Sequence, residues 1–243
     1  EEPCISGEEG SGAVFFTGCS LGCVFCQNTE ISRGQAGENV SVERLAEIFL
    51  RLQEQGANNI NLVTAGHYVP AVAESLRRAK DKGLQIPVVY NSSGYELPDT
   101  LRLMEDLVDI YLPDMKYMDG ELAEKYSHAQ NYPDVAKAAL EEMVRQCPIC
   151  EFDERGRMKK GVIVRHLLLP GHVRNSKAVM KYLHETYQDQ IYISIMSQYT
   201  PMSQVIKYPE LNRRVTKREY SRLLDYAMDL GIENGFFQEG DPV

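Results

Sequence analysis

The sequence predicts an α/β fold, a partial (β/α)6 TIM-like barrel of parallel strands, on three observations. Six short runs rich in β-branched or aromatic residues recur along the chain, each bounded by turn formers, as strands buried on both faces do. Between them lie stretches with a 3.6-residue apolar period, and this alternation argues for parallel strands joined by right-handed crossovers. Six repeats fall short of the eight that close a full barrel, so the predicted barrel is open.

The predicted strands are Ala13–Phe16, Ile60–Val63, Ile86–Tyr90, Val108–Leu112, Val162–Leu169 and Ile191–Met196. After the first strand, Ser41 can cap a helix that places Val42, Leu45, Phe49 and Leu52 on one face and ends at Gly56. Pro70 opens the next, with Glu74 and Arg78 paired four residues apart. Helical periodicity also covers Asp134–Val144 and Ser176–Tyr187. Thr216 and Glu219 form a capping box before a helix with Tyr220, Leu223, Leu224 and Ala227 on one side. The stretch Cys147–Lys160 interrupts the alternation and reads as a surface excursion. In folds of this class, chemistry collects at the carboxyl ends of the strands.

A chain of 243 residues, 43% hydrophobic and 25% charged, suffices for one substantial domain with a buried core, here expected to span residues 1–243. It opens at Glu1-Glu2-Pro3 without a methionine, which leaves room for an upstream segment. The net charge of −9 and pI near 5.2 repel phosphate backbones and anionic membranes, arguing against nucleic acid and membrane partners. The basic run Arg155–Lys160 reads as a solvated loop. There is no apolar run long enough to cross a bilayer and no visible signal peptide. Six cysteines are too few for a disulfide scaffold, and three lie within eight positions. Such crowding fits thiolates kept reduced for metal binding, hence a cytoplasmic, oxygen-poor setting.

Those three cysteines sit in Thr17-Gly-Cys-Ser-Leu-Gly-Cys-Val-Phe-Cys-Gln-Asn28, directly after the first strand. The spacing Cys-x3-Cys-x2-Cys, with Phe25 before the last cysteine, lets Cys19, Cys23 and Cys26 converge on one iron–sulfur cluster, Gly18 and Gly22 permitting the tight turns. Three ligands for four irons leave one iron open, as a catalytic metal site requires, whereas an electron-carrying cluster normally has four cysteines. Two other readings stand beside this one: a structural zinc site completed by His67 or Cys4, and inert buried cysteines. Cys147 and Cys150 form a second Cys-x2-Cys, better read as reduced structural thiols than as a second metal or redox site.

The cysteine loop resembles the signature of the radical S-adenosylmethionine superfamily. The rest of the chain is similar to its pyruvate formate-lyase activating enzyme branch, in particular the uncharacterised activase-like proteins. The likeness runs through Asn59-Ile-Asn-Leu-Val63, Val89-Tyr-Asn-Ser-Ser-Gly94, Asp109-Ile-Tyr-Leu-Pro-Asp-Met-Lys116, Arg165-His-Leu-Leu-Leu-Pro-Gly171 and Met196-Ser-Gln-Tyr199, in order at successive strand ends. The resemblance implies a [4Fe–4S] cluster on Cys19, Cys23 and Cys26 whose open iron is chelated by S-adenosylmethionine. It implies reductive cleavage of that cofactor to a 5′-deoxyadenosyl radical for hydrogen abstraction, glycyl radical enzyme activation being one use. It further implies a reduced flavodoxin or ferredoxin-like electron donor and a protein substrate. Two alternatives remain: radical chemistry on another peptide or a small molecule, and a non-catalytic metal-stabilised binding protein.

Further site residues follow from the same resemblance. The family's second strand ends in Gly-Gly-Glu, whose backbone holds the cofactor amino group. This chain has Thr64-Ala65-Gly66-His67 there, so the carbonyls of Thr64, Ala65 and Gly66 are the candidates, and His67 reads equally as a cofactor-facing group or a loop residue. Asn91 and Ser92 suit a ribose or carboxylate, or a plain turn. The activating enzyme has an Asp at the position of Asn91 and uses that region for a monovalent cation, for which Asp114 is the only obvious anionic ligand here. Asp114 and Lys116 read as contacts to the methionine moiety or as a buried ion pair. Arg165, inside an apolar strand, reads as a carboxylate ligand or an internal salt bridge. Phe25 is a candidate cofactor contact, and Gln198 and Tyr199 are placed to touch the adenosine, with core packing the alternative for the tyrosine. The first step demands no side-chain acid or base, so no catalytic proton donor is assigned.

Overall fold

The alternation of apolar runs and amphipathic helices builds one sheet in the computed structural model, which describes residues 2–237. Glu1 and residues 238–243, part of the single-domain expectation, lie outside the described residues. The chain begins with a short helix, α1 (Pro3–Ser6), then β1 (Gly12–Phe15), α2 (Thr29–Ser32), α3 (Val42–Glu54), β2 (Ile60–Val63), α4 (Val69–Asp81) and β3 (Val88–Ser92). It continues with α5 (Pro98–Arg102), β4 (Ile110–Pro113), α6 (Gly120–Ser127), α7 (Tyr132–Gln146) and β5 (Glu151–Phe152). β6 (Met158–Leu167), α8 (Val173–Tyr187), β7 (Tyr192–Met196), α9 (Lys217–Asp229) and β8 (Gly235–Phe237) complete the described residues.

Strands β1, β2, β3, β4, β6, β7 and β8 are neighbours in that order, and every adjacent pair is parallel. All six expected strands are present, with ends shifted by a few residues. β8 adds a seventh parallel strand that sequence periodicity missed, because three residues are too few to show a period. Among the described residues the sheet does not close: β1 and β8 are its edges. The excursion at Cys147–Lys160 is a hairpin in which β5 pairs antiparallel with the start of β6. Asp153 organises its turn by accepting from the Arg155 and Arg157 amides and pairing with Arg157 and Lys159, so two cations of the basic run are engaged in local ion pairs.

The helices form where the local chemistry asks for them. The Ser41 hydroxyl accepts from the Arg44 amide and starts α3, whose Leu45, Ala46 and Phe49 turn inward. The capping box at Thr216 and Glu219 starts α9, and Glu74 pairs with Arg78 on α4. At the amino ends of the strands α1 plugs the barrel: Cys4 and Ile5 pack on Val89, Ile110, Leu112, Met158 and Ile163. The Asn59 side-chain amide holds the plug by donating to the Ile5 carbonyl at 2.8 Å. The opposite end of the barrel is left for the site.

His166 ties β6 to its surroundings. Its Nδ1 donates to the Met115 carbonyl at 2.7 Å and its Nε2 accepts from the Ser176 hydroxyl at 2.8 Å. Burial pushes the imidazole pKa down to about 4. Between pH 6.5 and 4 the unfolded chain therefore binds a proton that the folded chain refuses, and stability falls as the pH falls. The expected loss by pH 4 is about 3 kcal/mol from this group. Urea unfolding of the wild type and His166→Gln at pH 7 and pH 4.5 checks it: the variant should lose less stability over that interval, and parallel losses would refute the assignment.

Candidate functional site

Sheet register brings the strand ends to one level. Phe15 lies opposite Val63, Val63 opposite Asn91, Ser92 opposite Pro113, and Leu167 opposite Met196, while Asp114 and Arg165 form a further parallel bridge beyond β4. These ends surround a cavity of about 550 Å3, within the range of small-molecule sites. Cys19, Cys23, Cys26, Phe25, Thr64, Asn91, Ser92, Asp114, Lys116, Arg165, Gln198 and Tyr199 all line it. Two predicted residues do not: Ala65 is fully buried in the core, and Gly66 lines a smaller adjoining cavity of about 160 Å3 that shares Thr64 with the first.

The cysteine loop is braced by its own backbone and by two helices. Gly18, at a φ of 89°, donates its amide to the Ile31 carbonyl, and Thr17 Oγ1 donates to the same carbonyl. Thr29 Oγ1 donates to the Cys26 carbonyl at 2.7 Å, and the Val24 amide donates to the Tyr126 carbonyl at the end of α6. Burial pushes the Cys19 thiol up, the Leu21 amide opposing it; burial likewise raises Cys23, opposed by the charge of Lys116 and the hydroxyl of Ser127.

Among the described residues no three His, Cys, Asp or Glu side chains are gathered closely enough for a single metal ion. A four-iron cluster takes each thiolate on a different iron, so its ligands need not converge on one point. Three thiols lining one cavity, whose lining carboxylate Asp114 is already paired to cations, are a donor set that fits such a cluster. Cys4 cannot complete a zinc site with them, because it is buried in the plug at the far end of the barrel. Cys147 and Cys150 are free thiols, and burial pushes Cys147 up to about 11 and raises Cys150, as expected of protonated structural cysteines.

The same cavity is lined by a charged network. Arg165 Nε donates to Asp114 Oδ1 at 3.0 Å, and its Nη2 to Asn91 Oδ1 at 2.7 Å. Lys116 Nζ donates to Asp114 Oδ2 at 2.6 Å. Burial alone would raise the Asp114 pKa, but Arg165 and Lys116 outweigh it and hold the carboxyl below its usual range. Burial would lower Lys116, and the Asp114 charge outweighs that in turn. The sequence left an ion pair and a ligand role open for these residues. The fold builds the ion pair and still exposes its rim to the cavity, where two cations face one anion. Both Asp114 oxygens accept from cations and Asn91 Oδ1 accepts from Arg165, so the anion that a monovalent cation would use here is already paired.

The turn beyond β3 is packed against this network. Gly94 has a φ of 76°, and a Cβ there would overlap the Asp114 carbonyl oxygen. Tyr132 Oη bridges the Ser93 and Asp114 carbonyls and accepts from the Lys116 amide. Gly94→Ala should therefore cost about 3 kcal/mol, from the left-handed backbone and the overlap together. Chemical denaturation measures this; a loss below about 1 kcal/mol would contradict the packing. Thr64 adopts a φ of 61°, which is rare for a β-branched residue, with its amide bonded to the Asn91 carbonyl at 2.8 Å. Backbone strain of this kind concentrates at functional sites.

The Tyr199 hydroxyl donates to the Leu211 carbonyl, and its ring packs edge-on to Phe25, so Tyr199 is a wall of the cavity whose polar end is turned away. Gln198 is exposed beside it, and His67 is exposed over Gly18. Sequence reasoning missed Glu96, whose carboxylate would lie 2.7 Å from a Cβ on Gly66. Burial pushes that carboxyl up to about 7, with the Ser92 and Tyr90 hydroxyls opposing. Ser127, beside Cys23, was missed too, and in both cases the local sequence is that of an ordinary turn or helix end.

Comparison with known proteins agrees with this fold. Uncharacterized protein MJ0674 of Methanocaldococcus jannaschii is 29% identical over 231 residues. That match covers 92% of this chain and 63% of the relative, so the chain spans less than two thirds of its length. Among solved structures, Streptococcus suis SuiB bound to S-adenosylmethionine superposes with a TM-score of 0.58 at 13% identity, covering 94% of this chain and 49% of that one. SuiB bound to its precursor peptide SuiA gives 0.58 at 11%, covering 93% and 48%. The FeFe-hydrogenase maturase HydG from Carboxydothermus hydrogenoformans gives 0.55 at 13%, covering 93% and 57%. At these identities the superpositions establish a shared fold. Residues 13–152, from β1 through the cysteine loop to β5, match the Radical SAM superfamily. This match takes in more than half of the chain, and the protein belongs to the Radical SAM superfamily, which works with a [4Fe–4S] cluster and S-adenosylmethionine.

Proposed function

We propose that this chain holds a [4Fe–4S] cluster on Cys19, Cys23 and Cys26 and uses it to cleave S-adenosylmethionine reductively, directing the 5′-deoxyadenosyl radical at a hydrogen of its substrate. The observation that carries this reading is the meeting of all three cysteines and the Asn91–Asp114–Lys116–Arg165 network in one cavity. When bound, the cluster supplies an electron and an open iron for the amino and carboxylate groups of the cofactor. Lys116 and Arg165 supply the positive charge that attracts a carboxylate. The Thr64 carbonyl and the Asn91 and Ser92 side chains offer hydrogen bonds to an amino group and a ribose. Phe25, backed by Tyr199, and Gln198 form the wall for the adenine. The whole of 1–243 would act as one radical S-adenosylmethionine domain, reduced by a flavodoxin or ferredoxin-like donor in an oxygen-poor cytoplasm. Among the described residues no helix is long and apolar enough to cross a membrane.

For the substrate we take a backbone glycine of a partner enzyme, by resemblance to glycyl radical activases. A second reading, modification of another peptide, is supported by SuiB, a protein of the same fold solved with its precursor peptide. Anaerobic reconstitution with iron and sulfide, then dithionite and S-adenosylmethionine, tests the shared chemistry: 5′-deoxyadenosine should be released. Without release both radical readings fall, and stoichiometric zinc in an iron-free anaerobic preparation would instead support a metal-stabilised binding protein. If release occurs, a glycyl radical signal on a candidate partner enzyme decides for the first substrate class, and its absence favours the second.

A further inference from the structure

We propose that Ser127 and Tyr117 are positioning residues that tune the cluster through Cys23, an inference that rests on the cluster assignment above. The Ser127 hydroxyl donates to Cys23 Sγ at 3.0 Å, and the Tyr117 hydroxyl lies 2.8 Å from Ser127 Oγ. Both residues are almost wholly excluded from solvent, at 1% and 0% exposure. A cysteine sulfur bound to iron carries no proton and can only accept. Ser127 has one hydroxyl hydrogen and spends it on that sulfur, so its own oxygen must accept from Tyr117. The result is a one-way chain, Tyr117 to Ser127 to Cys23, with both O–H dipoles aimed at the thiolate.

The scaffold fixes this chain in place. Ser127 is the last residue of α6, and His128 turns the backbone left-handed at a φ of 54°. The neighbouring Tyr126 carbonyl accepts from the Val24 amide, so adjacent residues of one helix end grip adjacent residues of the cysteine loop. The Tyr117 ring stands edge-on to Tyr132, which itself spans the Ser93 and Asp114 carbonyls on the charged side of the cavity. The other two cysteines are served differently. Cys19 faces the Leu21 amide, and Cys26 lies 3.5 Å from Ser32 Oγ, whose hydroxyl is directed at the Thr29 carbonyl.

Reduction adds negative charge to a cluster and its thiolates, and a hydrogen bond to a ligating sulfur stabilises the reduced form more than the oxidised form. The chain should thus raise the reduction potential and ease electron entry. The test is a potentiometric titration of the anaerobically reconstituted full chain, followed by electron paramagnetic resonance, on the wild type, Ser127→Ala, Ser127→Thr and Tyr117→Phe. With iron and sulfide contents equal, Ser127→Ala should move the midpoint to more negative potential and lower the reduced-to-oxidised ratio at fixed potential roughly fivefold. Tyr117→Phe should produce a smaller shift of the same sign, and Ser127→Thr, which keeps the hydroxyl, should restore the midpoint. A fully loaded Ser127→Ala protein with an unchanged midpoint overturns the proposal while leaving the cluster assignment intact. Should Ser127→Ala fail to load, Tyr117→Phe decides, and its unchanged midpoint is equally fatal. A wild type that loads no cluster removes the cluster assignment and this proposal together.

Discussion

Cys23→Ala should abolish release of 5′-deoxyadenosine from S-adenosylmethionine while leaving the fold in place. The cluster needs a thiolate on each of three irons, and no fourth thiol can take over: Cys4 lies in the plug at the far end of the barrel, Cys150 packs against that plug, and the Cys147 sulfur faces the Val108 and Asp109 carbonyls just before β4. The Ser127 hydroxyl left beside the gap is a far poorer iron ligand than a thiolate. Cys23 sits on a half-buried loop, and removing one sulfur should cost about 1 kcal/mol of stability. Iron and sulfide analysis after anaerobic reconstitution, chromatography of the nucleoside product, and a thermal melt check the three parts separately. Turnover retained by a folded Cys23→Ala protein would defeat the ligand assignment.

The second large effect belongs to Asp114. Asp114→Asn keeps the shape of the side chain but removes the anion that both Lys116 and Arg165 use, and its amide nitrogen must then face a cation. Breaking one partner of a buried pair typically costs about 3–5 kcal/mol, because a charge is left uncompensated. The three side chains are each less than one fifth exposed, so solvent offers little relief. Because the folded-state pKa of Asp114 is depressed, its contribution is complete above the unfolded carboxyl value and is lost as the pH falls through the lower folded value. The gap between wild type and variant in urea unfolding should accordingly be wide at pH 7 and close only well below pH 4. Adding Lys116→Met to Asp114→Asn should recover part of the loss, since one stranded cation is removed with its stem volume kept. A single variant within about 1 kcal/mol of wild type at pH 7 would show that the network is not the unit described.

The lower half of the barrel and the network differ in how they could be read from the chain. Strands β2 and β7 and helices α3 and α9 were legible because each carries its own signal: a run of apolar residues, a hydroxyl cap, a face repeating every 3.6 residues. β8 carried none, being only three residues long, and α1 was invisible because four residues around Pro3 look like an unstructured start. The outward turn of the Tyr199 hydroxyl was unreadable for a different reason. It depends on the Leu211 carbonyl, which a later loop delivers.

The sequence by itself determined the α/β class, the open barrel and the three-cysteine loop after the first strand, because helix and strand periods and a cluster-binding loop are local properties. Only the tertiary structure decided what faces that loop. Asp114 meets Arg165 across 51 residues, Ser127 reaches Cys23 across 104, and Glu96 comes to lie against Gly66 through the pairing of β2 with β3. Those meetings depend on which strands are neighbours and in what register. Register in turn is set by the burial of whole faces, which no short stretch of sequence specifies.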